Sequence, residues 1–239
     1  YRISLLKRLF SKLKLFLAPS EELLNVPFEK KKKKVFISNG VISNKFTRNE
    51  DVRKRLRNEL GIKDNEKLGI VTRRMVWKNG VNFLASATEY INNKDLKLLF
   101  IGDGERFEEV RFILEKYFKN RFILLGPKKH NEIIDYYSAA DLSILPSLME
   151  ATSISGLEAM AASLPLVGTN VGGIPVIIKD GENGFLCESQ NPEDLALKID
   201  KLLSSDIVEM GKKSKEMVDI HFDWIEIAKE TLKEYKAIL

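Results

Sequence analysis

The segment "PSLMEATSISGLEAMAASLPLVGTNVGGIP", residues 146–175, contains the pattern from which the fold can be deduced. Its central part is typical of a helix, because Ser153 is a favoured N-cap and apolar residues follow at the spacing of a core-facing helix. A strand-like run at 164–169 and a glycine pair come next. Two glutamates, Glu150 and Glu158, stand out among these small and apolar residues. A helix followed by a short apolar strand is the repeating unit of an α/β fold.

The same alternation continues on both sides of this segment. Strand candidates lie at 35–38, 68–72, 96–102, 121–126, 141–146, 164–169 and 184–188. Helical patterns separate them near 80–93, 105–118, 130–139, 154–163 and 192–204, and the tail at 206–237 is predicted to form two more helices. Because continuous apolar strands separated by helices indicate parallel strands covered on both faces, we predict an α/β protein with a Rossmann-like, doubly wound parallel sheet.

Composition and charge narrow the classes of function. The 239 residues are 44% hydrophobic and 31% charged, which is typical of a globular protein, and no apolar run is long enough for a membrane helix. The single cysteine, Cys187, excludes an intramolecular disulfide and leads us to expect a cytoplasmic location. The net charge of +5 suits phosphate-bearing ligands or an anionic membrane surface. Neither histidine, His130 or His221, has neighbours at metal-ligand spacing, so we predict no metal site.

The first 33 residues differ from the remainder. Apolar residues at helical spacing alternate there with Lys and Arg: Leu5, Leu6, Leu9, Leu13 and Phe16. Two compatible interpretations stay open, namely the last helix and strand of a preceding domain, or a basic amphipathic helix lying on an anionic membrane. The lysine-rich run at 29–34 is expected to be a solvated linker, and its lack of aromatic residues argues against a nucleic-acid partner. Because the chain does not begin with Met, we expect it to be part of a longer protein.

Ligands of doubly wound sheets bind beyond the carboxyl ends of the strands, so the residues that follow each strand candidate are where a site is expected. Basic, glycine and acidic residues collect at these positions. The segment "RRMVWKNG" follows 68–72, "DGE" follows 96–102, "PKKH" follows 121–126, "SLMEATSISG" follows 141–146 and "NVGGIP" follows 164–169. This clustering predicts a binding site at one edge of the sheet.

Cations and glycines in these loops suggest a phosphate site. Arg73 and Arg74 could each grip two phosphate oxygens, and Lys78 could supply a mobile positive charge. Gly102 and Gly104 would let the backbone approach a ligand at the start of a helix, where anions are favoured. The alternatives are a solvated basic loop and a tight turn between strand and helix, and no complete dinucleotide or Walker motif is present.

The carboxylates of Glu150 and Glu158 have two explanations as well. They could accept hydrogen bonds from sugar hydroxyls while free amides at the helix start hold a phosphate. Alternatively, both could simply favour the positive end of the helix dipole, with Glu158 expected near the first helical turn. Gly172 and Gly173 could form a turn before a short helix or lie near a phosphate.

Taken together, these segments resemble the C-terminal, donor-binding domain of the retaining family-4 glycosyltransferases, which have the GT-B fold. The resemblance covers residues 35 to 237, and the glutamate pair with seven intervening residues is that family's signature. The matching segments, in order and spacing, lie at 38–41, 73–81, 99–105, 122–126, 136–147, 150–163, 168–175 and 180–186.

The resemblance implies a role for each charged candidate. Arg74, or its neighbour Arg73, would neutralise the donor diphosphate together with Lys78. Glu150 would contact hydroxyls of the donor sugar, and Glu158 would accept from the ribose hydroxyls. Asn79 separates the lysine from the glycine that usually follows it in this family, so the choice between the two arginines stays open.

Backbone groups would complete the donor site. Amides near Ser153 to Ser155 would meet the phosphates or the sugar, and the turn after "FILLG" would border the base. The predicted catalytic residues are Glu150, Arg74 and Lys78, and the predicted donor-binding residues are Arg73, Gly102, Gly104, Ser153, Ile154, Ser155 and Glu158. No metal ligand is predicted.

The implied activity is that of a hexosyltransferase-type enzyme. It would move a sugar from a UDP-, GDP- or ADP-linked donor to an acceptor with retention of the anomeric configuration, without a cofactor or an obligatory metal. The acceptor stays unknown, and the basic start of the chain leaves a lipid-linked or polysaccharide acceptor and peripheral contact with the cytoplasmic membrane surface open; nothing predicts the oligomeric state. Two alternatives stay open: a nucleotide-sugar-binding module without turnover, and a sugar-nucleotide epimerase of the GT-B type.

The resemblance also implies a division of the chain. Residues 1–33 would be a remnant of the preceding acceptor domain and a linker, 34–220 the donor-binding domain, and 221–239 a C-terminal helix that packs back toward the N-terminal domain. Because a GT-B active site lies between two domains, we expect this chain alone to bind donor weakly and to transfer sugar poorly or not at all.

Overall fold

A six-stranded parallel sheet forms the centre of the protein. The computed structural model describes residues 2–25 and 33–239. The strands of this sheet are β3 (Lys67–Thr72), β4 (Leu96–Ile101), β5 (Phe122–Leu124), β6 (Leu142–Leu145), β7 (Leu166–Thr169) and β8 (Gly184–Cys187). They lie in the order β5-β4-β3-β6-β7-β8, and each overlaps its predicted segment. The predicted doubly wound parallel sheet is confirmed.

Helices connect these strands and extend to both ends of the described chain. Their bounds are α1 (Arg2–Ser11), α2 (Glu21–Leu24), α3 (Glu50–Glu59), α4 (Val81–Ala87), α5 (Phe107–Tyr117), α6 (His130–Ala139), α7 (Ile154–Ala161), α8 (Ile174–Ile177), α9 (Pro192–Leu203), α10 (Ile207–His221) and α11 (Trp224–Lys236). Short 3-10 turns lie at Ser43–Phe46 and Trp77–Asn79. The helix predicted as far as residue 93 ends at Ala87, and the tail forms the two predicted helices. No helix in the described part of the chain is long and apolar enough to cross a membrane.

Apolar side chains of the strands are buried on both faces of the sheet. In β4, Leu98 and Phe100 belong to a cluster that includes residues of α4, α5 and α9. The alternate residues Leu99 and Ile101 join the opposite cluster, which includes residues of α6 and α7. Burial on both faces explains why the strands have continuous rather than alternating apolar runs.

The order of the strands creates a switch point between β3 and β6. The chain builds the sheet outward from β3 through β4 to β5 and then returns to the other side of β3. Strands β3 and β6 are parallel neighbours, paired through Gly69 with Leu142 and Ile70 with Ser143. The loops after β3 and β6 therefore start side by side at the carboxyl edge and lead to helices on opposite faces of the sheet. Ligands of such folds bind at this kind of switch point.

Helix α3 is an element that the hydrophobic pattern did not predict. Arg53 and Arg57 donate to the two carboxylate oxygens of Asp141 at 2.5 and 2.9 Å. Asp141 also accepts the backbone amide of Leu68 at 2.7 Å, and it is buried together with Arg57. Paired charges therefore attach much of α3 to the sheet, and a search for apolar periodicity does not detect such a helix.

The predicted strand at 35–38 forms, but outside the main sheet. It is β2 (Lys33–Phe36), which pairs in parallel with β1 (Leu15–Ala18). The boundary predicted between residues 33 and 34 thus falls within β2, and the division into domains stays a prediction. Most of the predicted lysine-rich linker lies outside the described residues.

The side chains of α1 are partly open to solvent. Leu5 and Leu9 are 59% and 55% exposed. Exposed leucines on a basic helix are compatible with both interpretations of the N-terminal segment, so neither is decided. Lys33 of β2 forms an ion pair with Glu234 of α11, which lies near the C-terminal end of the chain.

The junction between α10 and α11 is tied to the segment before the first 3-10 turn. The amide of Val41 donates to the Phe222 carbonyl at 2.9 Å, and the amide of Trp224 donates to the Val41 carbonyl at 3.1 Å. Asp223 caps α11, and its Oδ2 accepts from both the amide and the hydroxyl of Ser43 at 3.1 and 2.9 Å. One carboxylate therefore serves as a helix cap and as a long-range tie.

The Asp223 cap gives a prediction for stability. Asp223→Ala should lower the free energy of unfolding by about 2 kcal/mol, because it removes the cap and leaves the Ser43 donors without their acceptor. Asp206→Ala is the matched control, since Asp206 caps α10 through Val208 and Glu209 and has no such long-range tie. We expect about 1 kcal/mol for that change, and equal losses in urea-unfolding experiments would contradict the tie.

The same carboxylate predicts a dependence on pH. The amide of Ile225, followed by the donors of Ser43, lowers the pKa of Asp223 below its ordinary value. A carboxyl with a depressed folded-state pKa contributes stability above its unfolded pKa of about 3.9, and that contribution is lost as the pH falls through the folded value. The difference between wild type and Asp223→Asn should therefore shrink toward zero in acid below about pH 4, as measured by urea unfolding at a series of pH values.

Candidate functional site

Two loops meet at the switch point. The first follows β3 and comprises residues 73–80; the second follows β6 and comprises residues 146–153. The amide of Leu148 in the second loop donates to the Lys78 carbonyl in the first at 2.8 Å. The backbones of the two loops are therefore joined directly.

A glycine permits this close crossing. Gly80 has a φ of +64°, and a Cβ at that position would lie 1.8 Å from the carbonyl oxygen of Pro146. In the same loop, the side-chain amide of Asn79 is buried and donates to the Arg74 carbonyl at 2.7 Å. The residue that interrupts the expected Lys–Gly pair thus stabilises the loop from within.

The second loop holds an arginine of the first. Nη1 of Arg73 donates to Oε2 of Glu150 in a close ion pair, and Nη2 donates to the hydroxyl of Ser153 at 2.6 Å. Ser147 donates to the same glutamate oxygen at 3.3 Å. The side chains of Arg73 and Glu150 are only 7% and 18% exposed. The Nε atom of Arg73 is buried and has no partner among the described residues, so this fixed guanidinium keeps one donor unused.

Arg74 and Lys78 lie differently from Arg73. Both side chains are exposed, and neither forms an ion pair within the described part of the chain. Arg74 lines the cleft at this edge, whereas Lys78 lies outside the cleft lining. The structure therefore brings Arg73, not Arg74, into contact with Glu150.

Glu158 lies deeper in α7 than expected. It is the fifth residue of the helix and therefore occupies the second turn rather than the first, while the predicted N-cap at Ser153 is confirmed. Glu158 is only 5% exposed, and its Oε1 lies 2.6 Å from Nε2 of His130. Because the effect of the helix dipole fades beyond the first turn, that effect does not account for a carboxylate buried here.

The other oxygen of Glu158 meets a buried hydroxyl. Oε2 accepts from the hydroxyl of Tyr137 at 3.2 Å, and the same hydroxyl lies 3.1 Å from the Ser155 carbonyl and 2.6 Å from the hydroxyl of Thr72. Burial, followed by the neighbouring Glu158 charge, raises the pKa of Tyr137 well above its usual value. Tyr137 is therefore a neutral hydrogen-bond donor at every physiological pH.

These side chains line an open cleft of about 530 Å³ at the carboxyl edge of the sheet. One wall comes from the ends of β3 and β4, and the opposite wall comes from α7 and the loop after β5. The lining residues are Thr72, Arg73, Arg74, Ile101, Gly102, Asp103, Gly104, Pro127, Lys128, Ile133, Ser155 and Glu158.

The glycine candidates have structural reasons of their own. Gly102 has a φ of +143°, and a Cβ there would lie 1.9 Å from the Arg73 carbonyl oxygen; at Gly104 it would lie 2.5 Å from the carbonyl of Met75. Both glycines also line the cleft. Close backbone packing therefore requires glycine at both positions, whether or not a ligand binds beside them.

The glycine pair at 172–173 supports the second loop. A Cβ at Gly172 would lie 1.8 Å from the Glu150 carbonyl oxygen, and one at Gly173 would lie 1.6 Å from the carbonyl of Ala151. The amide of Gly173 donates to the Glu150 carbonyl at 3.1 Å. The glycine pair therefore packs directly against the backbone of Glu150 and Ala151. It does more than form the turn before α8.

Most of the predicted site residues come together, and the structure adds others. Six of the ten predicted residues line the cleft, and Glu150 and Ser153 reach it through their contacts with Arg73; Lys78 and the side chain of Ile154 lie outside its lining. Sequence reasoning did not identify His130 and Tyr137, which hold Glu158, or Thr72, whose hydroxyl contacts that of Tyr137. His130 could have been found, because it follows β5 at the same edge, whereas nothing in the pattern of α6 distinguishes Tyr137 from the core.

No three His, Cys, Asp or Glu side chains in the described ranges are grouped closely enough to hold a metal ion. The predicted absence of a metal stays a prediction.

Comparison with known proteins identifies relatives of the chain. The sequence model of the family "Glycosyl transferases group 1" matches residues 52–219. An uncharacterized glycosyltransferase of Methanocaldococcus jannaschii is 30% identical over 223 residues, covering 90% of this chain and 56% of that protein. The N-acetyl-alpha-D-glucosaminyl L-malate synthase of Bacillus anthracis is 30% identical over 167 residues, covering 68% of this chain and 43% of that protein.

Solved structures share the fold. Sucrose-phosphate synthase from Thermosynechococcus elongatus aligns with a TM-score of 0.83 at 24% identity, over 99% of this chain and 61% of that one. The Anabaena protein HepE, crystallised in complex with UDP-glucose, aligns with a TM-score of 0.82 at 21% identity, over 94% of this chain and 64% of that one. This chain spans about half the length of the curated relatives it matches.

The crossing of the two loops gives a prediction with a matched control. Gly80→Ala should lower the free energy of unfolding by more than 3 kcal/mol, because left-handed backbone costs alanine about 1–2 kcal/mol and the Cβ also collides with the Pro146 carbonyl. Gly61 has nearly the same φ, +65°, but nothing lies within 4 Å of the added Cβ. We expect Gly61→Ala to cost about 1 kcal/mol, and similar losses for both variants in urea unfolding would show that the crossing is not tight.

Proposed function

Because this chain belongs to the glycosyl transferases group 1 family, with the GT-B fold, we propose that it binds a nucleotide-activated sugar as the donor for glycosyl transfer. The observation that carries the proposal is the arrangement at the switch point. A fixed arginine, the start of a helix and the carboxylate of Glu158 converge there on one cleft, and Glu150 binds the arginine.

The diphosphate of the donor would meet the positive charges of this arrangement. Glu150 and Ser153 hold the Arg73 side chain in the lining of the cleft, and the first amides of α7 have no partner within the helix. The exposed side chains of Arg74 and Lys78 can move toward the ligand. Negative charge builds on a diphosphate leaving group as the glycosidic bond breaks, and cations fixed in advance stabilise that charge. Basic residues can therefore serve where other enzymes use a metal ion.

The nucleoside would occupy the other end of the cleft. The buried carboxylate of Glu158 can accept from two ribose hydroxyls. Pro127, Lys128 and Ile133 line the cleft beyond it and would border the base. The Anabaena protein HepE, which has the same fold, was crystallised with a ligand of this class, UDP-glucose.

The sugar would lie on the side of Glu150. That carboxylate is 18% exposed and accepts from Arg73 and Ser147 through Oε2, which leaves Oε1 available for sugar hydroxyls. We propose that transfer retains the anomeric configuration and moves a hexose, as the family resemblance implies. The acceptor would bind opposite this face, in a part of the enzyme outside this chain.

Donor binding can be tested directly by thermal shift. Purified protein is heated with UDP-, GDP- or ADP-linked hexoses at a hundredfold excess over their dissociation constants. Binding to the folded state then adds about 2.7 kcal/mol, which corresponds to a rise in Tm of about 5–10 °C for a chain of this size. The proposal predicts such a rise with at least one of these donors, and no shift with any of them would overturn it.

The diphosphate contact can be tested separately. Lys78→Ala should weaken binding of that donor about tenfold, because one charge-assisted contact to a phosphate is lost. Lys213→Ala is the control, since that lysine is exposed on α10 and far along the chain from the site. Isothermal titration calorimetry at low salt measures the difference, and equal affinities for the two variants would remove Lys78 from the proposed site.

A further inference from the structure

The carboxylate of Glu158 is held on both oxygens by side chains to which no role has been assigned. Nε2 of His130 donates to Oε1 at 2.6 Å, and the hydroxyl of Tyr137 donates to Oε2 at 3.2 Å. We propose that Tyr137 and His130 are positioning residues that orient Glu158 for the two adjacent hydroxyls of a ribose, and thereby make the site select ribonucleotide over deoxyribonucleotide donors. This inference rests on the proposed function.

The count of hydrogen-bond positions supports this role. A carboxylate offers about four lone-pair positions, two on each oxygen. Each oxygen of Glu158 accepts one hydrogen bond from the protein, so one position on each oxygen is left. Two free positions on neighbouring oxygens match the two hydroxyls of a ribose, and the two protein donors fix the plane in which those positions lie.

The direction of the Tyr137 hydrogen bond follows from its neighbours. The Ser155 carbonyl and the ionised Glu158 can only accept, so the phenolic proton must face them. The hydroxyl of Thr72, 2.6 Å from the phenol oxygen, is then the donor in that contact. Because Tyr137 is completely buried, no water can replace it as the donor to Glu158. Hydrogen bonds thus connect Thr72 at the end of β3 with Tyr137 in α6 and Tyr137 with Glu158, and they fix the orientation of the Glu158 carboxylate.

His130 acts from the solvent side of the same carboxylate. Its side chain is 61% exposed, whereas that of Glu158 is 7% exposed. His130 and Glu158 also line a second cavity of about 340 Å³, shared with Phe46 and Lys45. The imidazole therefore stands between Glu158 and solvent on this side, and its ring lies 5.8 Å from the ring of Phe46. Removal of the imidazole would let water compete with the ribose for Oε1.

Discrimination between ribose and deoxyribose provides the test. The ligand is the nucleotide hexose that binds the wild type, compared with its 2′-deoxy analogue by titration calorimetry. We expect the wild type to prefer the ribose form by at least tenfold, the effect of one hydrogen bond to a charged group. Tyr137→Phe and His130→Ala should reduce that ratio toward one, because they weaken the ribose form, which uses two hydroxyls, more than the deoxy form, which keeps only the 3′ hydroxyl. A defect in folding would weaken both forms alike.

Conservative variants and matched controls complete the design. His130→Gln retains an N–H donor and should restore most of the preference that His130→Ala loses. Tyr136→Phe removes the neighbouring hydroxyl, which has no side-chain partner in the described structure, and His221→Ala removes the other histidine; both should behave as wild type. If Tyr137→Phe does not fold, Thr72→Val tests the same series of hydrogen bonds, because it removes the hydroxyl that donates to Tyr137.

The outcomes separate this inference from the proposed function. If the wild type binds a nucleotide hexose without preferring ribose, or if the preference survives in both Tyr137→Phe and His130→Ala, the positioning role is wrong while donor binding stands. If the wild type binds no nucleotide hexose at all, the proposed function fails and the inference fails with it.

Discussion

The structure of this edge of the protein depends on the contact between the loop after β3 and the loop after β6. The two strands are neighbours, and the loops cross so closely that the Lys78 carbonyl accepts from Leu148 and only glycine fits at position 80. Once the backbones are joined, Arg73 and Glu150 are held within hydrogen-bond distance although they are separated by 77 positions in the sequence. The candidate site is thus a consequence of where the chain returns to the sheet.

Strand β6 has a buried charge cluster near each end, and the two clusters differ in how completely they are satisfied. At the amino end, Asp141 accepts from Arg53, Arg57 and a backbone amide, and such a saturated cluster contributes to the attachment of α3. Near the carboxyl end, Nε of Arg73 has no partner among the described residues, and Glu158 retains acceptor positions. This contrast is one reason for placing the proposed donor site at the carboxyl end of β6 rather than at its amino end.

Periodicity in the sequence predicted the strands of the main sheet, their parallel arrangement and the edge at which function should lie. It failed for α3, because arginines rather than apolar residues attach that helix, and it could not show that β2 pairs with β1. Within the site, the positions of Arg73 and Arg74 in the sequence gave no basis for choosing between them. The choice of Arg73 as the partner of Glu150 depends on how the chain leaves β3, which no local pattern encodes.

The sequence by itself determined the fold class and the set of charged residues at the carboxyl edge, because the spacing of apolar residues and glycines is a local property of the chain; the resemblance of its ordered segments gave the family. Only the tertiary structure decided which of those residues meet. His130 and Tyr137 lie in α6 and Glu158 in α7, and only the folded chain brings the two side chains onto the same carboxylate. The physical reason is that hydrogen bonds and ion pairs act over about 3 Å, so they depend on coordinates that sequence separation does not specify.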